Sequence, residues 1–429
     1  MVDKTHILLL SSILIFSVIN INLASAVCSL NNCSVDAIAV YAKVVGGQND
    51  IYYSFQGHAP KIPKPVDNIT RWEWWALDGT VSQQIPILAD LAPGQDQLPS
   101  VAFSREGFAV AVWENFREVG SLDCTGSPVP VFRGDILFSV WNGTGWSQAT
   151  IGIAGANDTY LKDPAIAIDN NGNGVVVYVK QIQLRTGTCP TDSILSVEYA
   201  KFNGTSKNFS SGGLLDGPST NNFVIGNAAP EVAFNSKLLS PNLFTRQQGV
   251  AAWWSTDTTY SKICPGPATI TIPTLWPKKA IWNGSSFEQT GFIPDKLIPP
   301  ASLTDNLSVQ GNIGGKIGVS SDQFDHSKVV WPIIRQFGDP CGNPNGTAEG
   351  WSARWNSTDW QPKAAKFVNL NDLARGMDIA YLPNNEAISV YDDIDIVTEK
   401  RIIKWSQELT NTTWINKGQL DSGFGVFPT

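Results

Sequence analysis

The stretch Phe108-Ala109-Val110-Ala111-Val112-Trp113 decides the fold because related copies of it recur along most of the chain. Each copy is a short apolar run that ends in an aromatic residue. The closing aromatic residues lie 72, 65, 75, 78 and 60 residues apart, so the period is long and variable. A repeat of this kind indicates one repeating architecture instead of several unrelated domains. The six copies are Ala37–Tyr41, Ala109–Trp113, Val175–Tyr178, Val250–Trp253, Lys328–Trp331 and Ala387–Tyr391.

The residues around each copy predict a unit of four β-strands, called A to D here. In the second unit, strand A is Pro99–Ser104, the motif is strand B, and strands C and D are Asp135–Trp141 and Trp146–Gly152. These segments are rich in β-branched and aromatic residues, and turn-forming residues separate them. Strand B is apolar at nearly every position, which is typical of a strand covered on both faces.

Repeated four-stranded antiparallel units predict an all-β fold, a six-bladed β-propeller, with seven blades as the alternative. One propeller domain is expected to span residues 27–429. The first unit matches least well, with strand A expected at Val27–Leu30 and later strands at Arg71–Trp75 and Val81–Gln84. The tail from Gly423 onward is expected to add at most an edge contact to the last unit.

The N-terminal residues 1–26 predict an export signal. Lys4 precedes the apolar run Ile7–Phe16, and Ala24-Ser25-Ala26 is the small-residue pattern that a signal peptidase cuts after. The alternative is an uncleaved membrane anchor. No later segment approaches the ~20 apolar residues of a spanning helix, so no membrane span is expected in the mature chain. A net charge of −8 without a basic run argues against a nucleic-acid binder.

Asparagine sequons and cysteines agree with export. Eleven N-x-S/T sequons predict glycosylation of a secreted protein, although Asn-Gly-Thr and Asn-Gly-Ser also favour hairpin turns. Six cysteines in an exported chain favour disulfides, and no C-x-x-C pattern supports a metal site. The sequons start at Asn32, Asn68, Asn142, Asn157, Asn203, Asn208, Asn283, Asn306, Asn345, Asn356 and Asn411.

The cadence of the second unit resembles that of a known group of repeat proteins. It consists of Pro99-Ser-Val-Ala-Phe103, then Gly107-Phe-Ala-Val-Ala-Val-Trp113, then Trp141-Asn-Gly-Thr-Gly-Trp146. This pattern is similar to secreted prokaryotic, including archaeal, β-propeller proteins with sialidase-like blades, over most of residues 30–415. The resemblance implies blades and no particular activity. The sialidase Asp-box, Ser-x-Asp-x-Gly-x-x-Trp, is absent, and Ser357-Thr358-Asp359-Trp360 matches it only superficially.

The functional face is expected where the long B–C and D–A connections lie, such as Glu114–Gly134 and Gly212–Ala229, because binding residues concentrate on long loops. Four cysteines fall in successive B–C connections, which predicts the disulfides Cys124–Cys189 and Cys264–Cys341, with Cys28–Cys33 pairing locally. Arginines that follow strand B are candidates for holding a carboxylate ligand, and acidic residues after the sixth strand B are candidates for holding a cation or for acid–base work. These candidate ligand-binding residues are Arg117, Arg185, Arg335, Asp392, Asp393 and Asp395.

Taken as a set, these observations predict an exported, glycosylated β-propeller, at the cell surface or outside the cell. It is expected to bind a glycan or a cell-surface protein without catalysis, and neither a cofactor nor a metal site is predicted. No convergent set of catalytic residues is visible in the sequence. The alternative is a carboxylate-based glycoside hydrolase or lyase that acts on acidic sugars.

Overall fold

The protein is described here from a computed structural model. The structure describes residues 22–25, 37–45, 48–56, 94–104, 108–141, 146–219, 229–234, 249–263, 269–293, 307–310, 316–322, 326–337, 345–356, 358–361, 364–371, 376–381, 386–395, 397–398, 401–410 and 413–419. The chain divides into two compact units, Met1–Ile194 with Glu198–Leu214, and Leu195–Val197 with Leu215–Thr429.

The described residues form six antiparallel sheets that follow one another along the chain. The first three sheets contain β1 (Asn22–Ser25), β2 (Ala37–Val45), β3 (Gln48–Gln56), β4 (Gln95–Phe103), β5 (Ala109–Cys124), β6 (Ser127–Trp141), β7 (Thr150–Ile153), β8 (Thr159–Ile168), β9 (Gly174–Thr186), β10 (Cys189–Asn203) and β11 (Asn208–Ser219). Their strand orders are β1-β2-β3, β4-β5-β6-β7 and β11-β10-β9-β8.

The last three sheets follow the same plan. They contain β12 (Glu231–Phe234), β13 (Gly249–Ile263), β14 (Thr269–Trp282), β15 (Phe287–Phe292), β16 (Leu307–Gln310), β17 (Gly318–Ser321), β18 (Ser327–Phe337), β19 (Asn345–Trp355), β20 (Ala365–Leu370), β21 (Met377–Tyr381), β22 (Ala387–Ile394), β23 (Arg401–Thr410) and β24 (Thr413–Gln419). In the fifth sheet, β16 and β17 pair with different halves of β18. Within the described ranges, no helix is long and apolar enough to cross a membrane.

Successive four-stranded antiparallel sheets are the blades from which a β-propeller is built. The all-β, propeller-type fold class predicted from the repeat is therefore confirmed. Five of the described sheets have four or more strands, so the described residues show five complete four-stranded repeats and not six. The first sheet has three described strands, and residues 57–93 lie outside the described part of the chain.

The repeated motif forms the second strand of its sheet in every unit, as predicted. In β5, every residue from Ala109 to Asn115 is buried. Val110 and Val112 pack with residues of the third sheet such as Val176, while Trp113, on the opposite face, packs with Leu137. A strand covered on both faces needs apolar residues at consecutive positions, which explains why the motif lacks a period of two.

The prediction that the long B–C connections are loops is wrong, because these connections are β-hairpins. Strand β5 continues past the motif and pairs with β6 up to Cys124 and Ser127, so the expected loop Glu114–Gly134 is a two-stranded ladder. Its turn residues Thr125 and Gly126 both have positive φ, +52° and +84°, as a type I′ hairpin turn requires. We call the part of each hairpin beyond the motif its extension. The expected loop Gly212–Ala229 likewise begins as strand β11, and residues 220–228 lie outside the described residues.

The first sheet also differs from expectation. Its outer strands are β1 and β3, which pair with β2 from Asn22 to Ser25 and from Gln48 to Gln56. The predicted strands at 27–30, 71–75 and 81–84 lie outside the described residues. The motif strand simply continues to Val45 and turns back, as in the other hairpins. Strand β1 falls inside segment 1–26, so removal of a signal peptide after Ala26 would also remove β1; that cleavage stays a prediction.

An irregularity recurs in or just before the first strand of three consecutive sheets. Leu98, Asp163 and Ala229 each precede a proline and have positive φ, +50°, +51° and +39°. In β4 and β8, the pairing with the next strand shifts at this point. A non-glycine residue in this region is strained, and a bulge redirects the neighbouring backbone groups. The bulge in β8 helps to build the site described below.

Candidate functional site

The tips of two hairpin extensions in the first of the two compact units are joined covalently. The disulfide Cys124–Cys189 connects the β5–β6 hairpin to the β9–β10 hairpin, as predicted. The hydroxyl of Thr188 also donates a hydrogen bond to the carbonyl oxygen of Asp123. Cross-linking residues 65 positions apart stabilises the fold by about 4 kcal/mol in the chain-entropy model. The hairpin tips are therefore a rigid element. The predicted disulfides Cys28–Cys33 and Cys264–Cys341 lie outside the described residues.

Arg185 fastens the same two hairpins at a second place. Its guanidinium donates two hydrogen bonds to the carboxylate of Asp158, both of 2.7 Å. It also donates to the carbonyl oxygens of Thr188 and Pro130, at 2.8 and 3.3 Å. A guanidinium that grips a carboxylate at two points is held in a fixed plane. The predicted ligand group Arg185 is thus already oriented by its neighbours.

Arg117 lies in the β5–β6 hairpin, opposite Arg133 of β6. Its guanidinium donates to the carboxylate of Asp135 at 2.8 Å. The Asp135 side chain is fully buried and also accepts hydrogen bonds from Arg133 and from the amide of Gly155, both at 2.8 Å. Among the described contacts, Arg117 and Arg185 share no partner. Arg335 lies in β18 opposite Thr347, and its side chain is outside the described residues.

The three predicted aspartates of the sixth sheet also have specific partners. Asp392 forms an ion pair with Arg401 and accepts a hydrogen bond from the Gly376 amide at 3.2 Å. Asp393 is fully buried and binds Lys404 at 2.7 Å. Asp395 accepts from the amide of Val397 and the hydroxyl of Thr398, both at 3.0 Å, and these hydrogen bonds lower its pKa. Ligand binding by these residues stays a prediction.

Asparagines at three corresponding turns are used structurally. The side-chain oxygens of Asn203, Asn283 and Asn356 each accept hydrogen bonds from two backbone amides that follow them. Such contacts stabilise the tight turn between strands C and D. Two other sequon asparagines, Asn157 and Asn208, are exposed. Asn345 lies in β19, and Asn32, Asn68, Asn142, Asn306 and Asn411 are outside the described residues.

A buried carboxyl group at the base of the first hairpin extension was not singled out from the sequence. Glu114 directly follows the motif aromatic Trp113 and is 6% exposed. Its Oε2 accepts a hydrogen bond from the backbone amide of Asp163 at 3.2 Å. Burial, together with the negative charge of Asp163, raises the pKa of Glu114 to about 8. Glu114 is therefore mainly protonated at neutral pH.

The sequence does hold a signal for this position. Asp392 follows the motif aromatic Tyr391 in the same way that Glu114 follows Trp113, and both acidic residues are buried. Asp392 has the guanidinium of Arg401 as its partner. Glu114 faces the acidic Asp163 instead, although the nearby ammonium of Lys162 favours its ionised form. The different partners explain why a similar sequence position has a different electrostatic environment.

A cluster of three stacked aromatic rings includes Phe116, two residues after Glu114 in β5. Phe116 shares a strand face with Glu114, and its ring stacks on Phe132 with centroids 4.8 Å apart and on Tyr160 at 5.5 Å. All three side chains are half-buried. Burial raises the pKa of Tyr160, and the adjacent charge of Asp158 contributes, so its hydroxyl remains a hydrogen-bond donor.

We call this arrangement the hairpin-base site. It comprises Glu114, Asp163, the rings of Phe116, Phe132 and Tyr160, and the ion pair Arg185–Asp158. Aromatic surface beside a few oriented polar groups is the usual composition of a small-ligand site. A neutral carboxyl group next to an acidic residue is also the arrangement that acid–base catalysis uses. Of the residues in this site, only Arg185 was predicted from the sequence, whereas the aromatic residues and Glu114 were not.

Comparisons with known proteins do not assign a family. No protein-family model matches the chain, and no curated protein matches it. Solved structures that are similar to the chain include an α-L-arabinanase of Penicillium chrysogenum, with 11% identity, 75% of this chain and 80% of that chain covered, and a TM-score of 0.39. The polysaccharide lyase Uly1 has 10% identity, coverages of 94% and 77%, and a TM-score of 0.42.

A third similar structure is the K499G mutant of the NanB sialidase from Streptococcus pneumoniae. It has 10% identity, covers 94% of this chain and 76% of that chain, and has a TM-score of 0.32. With TM-scores below 0.5, these three likenesses carry no conclusion about function. The site must be judged on its own chemistry.

Proposed function

We propose that the protein is an exported, glycosylated β-propeller that binds a glycan, at the cell surface or outside the cell, without catalysis. The observation that carries this proposal is the hairpin-base site, where the rings of Phe116, Phe132 and Tyr160 lie beside the ion pair Arg185–Asp158. Sugar rings present an apolar face to aromatic side chains and hydroxyl groups to charged ones. The site offers both kinds of contact.

The cross-links between the two hairpins support this proposal. A binding site is most effective when its groups are held in place before the ligand arrives, because little conformational entropy is then lost on binding. The disulfide Cys124–Cys189 and the contacts of Arg185 hold the two hairpins in this way. A disulfide also agrees with an oxidising compartment and so with export by the predicted signal at residues 1–26.

Affinity measurements on aromatic variants test this proposal. A glycan array first identifies the ligand, and titration calorimetry then compares the wild type with Phe132→Ala. Loss of one ring should lower the affinity about five- to ten-fold. The control is Phe287→Ala, which removes another half-buried ring that packs against Trp282 in the second unit. Equal affinities of the wild type and Phe132→Ala would contradict the assignment of the site, as would failure of the wild type to bind any glycan.

One observation favours a second candidate, a carboxylate-based glycoside hydrolase or lyase. Glu114 carries its proton at neutral pH, as a general acid must, and Asp163 lies next to it. The two candidates differ in turnover. We expect no product when the purified protein is incubated with glycans that it binds. Cleavage that is lost in both Glu114→Gln and Asp163→Asn would establish the enzyme instead.

A further inference from the structure

A concave surface lies in the first compact unit. It is an open groove of about 480 Å³ between β7 of the second sheet and β10 and β11 of the third sheet. This volume lies within the range of small-ligand sites in proteins. Ile153 lines one wall of the groove. Tyr178 and Glu198 line another part, and residues 209–214 line the remainder. It shares no residue with the hairpin-base site.

The polar lining of the groove includes Tyr178 and Glu198, which are linked to each other and, through Glu198, to Lys180. The carboxylate of Glu198 accepts a hydrogen bond from the hydroxyl of Tyr178 at 3.3 Å. Its other oxygen binds the ammonium of Lys180 at 3.2 Å. Burial raises the pKa of Tyr178, and the charge of Glu198 adds to this, so the hydroxyl stays protonated. The groove therefore presents a hydroxyl and a carboxylate, and Lys180, which lies outside the lining, balances the charge of that carboxylate.

The apolar part of the groove is aromatic and aliphatic. Phe209 packs edge-on against Phe138 with ring centroids 5.1 Å apart, which holds the Phe209 ring in place. Leu214 is 54% exposed at the rim, and Ile151, next to the lining residue Gly152, is 46% exposed. These two aliphatic side chains add apolar surface at the edge of the groove.

Two glycines set the shape of the groove. A Cβ atom on Gly152 would lie 2.7 Å from the Phe209 ring, and one on Gly212 would lie 2.0 Å from the carbonyl oxygen of Tyr199. Real Cβ atoms do not approach other atoms so closely. Any larger residue at these two positions would displace the ring or the strand. The close approach of β7 and β11 to their neighbours, and with it the groove, depends on the absence of these side chains.

We propose that this groove is a binding site for a neutral sugar of one or two rings. A sugar needs hydrogen-bond donors and acceptors together with an apolar face, and the groove has all three within a volume of that scale. The ammonium of Lys180 is already neutralised by Glu198, so an acidic sugar gains no unpaired cation there and meets the Glu198 carboxylate. The proposed ligand is thus a neutral sugar, whereas the arginines in the sequence suggested an acidic sugar.

Calorimetry with defined probes tests the proposal. Cellobiose, maltose and chitobiose are the neutral probes, and digalacturonate is the acidic probe. At least one neutral probe should bind, and digalacturonate should bind at least ten-fold more weakly. Glu198→Gln should lower the affinity for the neutral probe about ten-fold, because a hydrogen bond to a charged group is lost. Tyr178→Phe is the second variant, which removes only one hydroxyl, and thermal unfolding checks that both variants fold.

The matched control is Glu118→Gln, which changes an exposed carboxylate in β5. It should leave the affinity for the neutral probe unchanged. The proposal is overturned if no neutral probe binds, or if folded Glu198→Gln and Tyr178→Phe proteins bind as tightly as the wild type. Loss of binding in Phe132→Ala alone would place the sugar at the hairpin-base site and would leave the groove without a ligand.

Discussion

The backbone amide of Asp163 donates a hydrogen bond to Oε2 of Glu114 across 3.2 Å, although the two residues are 49 positions apart. Asp163 reaches this position from the bulge of β8, where its φ is +51° and Pro164 follows. A strained residue thus brings a second acidic group against a buried carboxyl group. Strain of this kind persists only where the surrounding structure enforces it, and it is frequent at functional sites.

The stability of the protein should depend on pH through Glu114. Its pKa is about 8 in the folded protein, against 4.5 for the exposed side chain. The contribution of Glu114 to stability should therefore be fully present below about pH 4.5 and be lost as the pH rises towards 8, because the unfolded chain releases this proton first. At alkaline pH, Glu114→Gln should raise the free energy of unfolding by an amount on the order of 3–5 kcal/mol, because no buried carboxyl group then has to ionise. Urea unfolding from pH 4 to 9 measures this, with Glu118→Gln as control; parallel curves for wild type and Glu114→Gln would refute it.

The disulfide between the hairpin tips should be a major source of stability. Replacing Cys124 and Cys189 by serine should lower the free energy of unfolding by about 4 kcal/mol or less. The contacts of Arg185 with Asp158 and Pro130 should still hold the hairpins together, so the variant should fold. Urea unfolding measures the loss. Non-reducing peptide mapping should also show Cys264 joined to Cys341, and a Cys189–Cys264 link would contradict the pairing.

The stability that the buried carboxylate of Asp135 gives to the fold should depend on its ion pair with Arg117. Asp135→Asn should destabilise the fold by roughly 2–4 kcal/mol, because two guanidinium groups then lose their carboxylate partner. Arg117→Met should cost less in the Asp135→Asn background than in the wild type. A double-mutant cycle by urea unfolding gives this coupling energy. Additive effects of the two substitutions would show that the ion pair contributes nothing to folding.

A buried ion pair in the second unit gives a separate test. Lys328 is 1% exposed, binds Glu408, and lies 5.3 Å from the centre of the Trp414 ring. Burial lowers the pKa of Lys328, which shows how costly the isolated charge is. Lys328→Met should destabilise the protein by about 3–5 kcal/mol, because Glu408 is left buried without its cation. The double variant Lys328→Met, Glu408→Leu should recover most of this loss; no recovery would argue that packing around Lys328 dominates.

The order of the strands and one of the covalent links could be predicted from the sequence. The apolar run of Ala109–Trp113 is a local property of the chain, and burial on both faces follows from it directly. The pairing of Cys124 with Cys189 followed from their matching places in successive repeats. Both predictions needed only the period of the repeat.

The hairpin extensions could not be read from the sequence in the same way. Between Glu114 and Gly134, prolines, glycines and charged residues resemble a loop, since an extension that faces solvent needs no apolar pattern. Only the pairing of β5 with β6 showed that this segment is a ladder. The same pairing gave Arg117 its partner Asp135, so the sequence alone could name the arginine but not its role.

The sequence by itself determined the all-β class, the repeating four-stranded unit and the position of the motif strand, because these depend on contacts between residues close together in the repeat. The tertiary structure alone decided which charges are paired and which carboxyl group keeps its proton. Glu114 and Asp392 hold the same place after the motif, yet one meets Asp163 and the other Arg401. A pKa is set by the groups that surround a side chain in space, and those groups come from strands whose register no local pattern specifies.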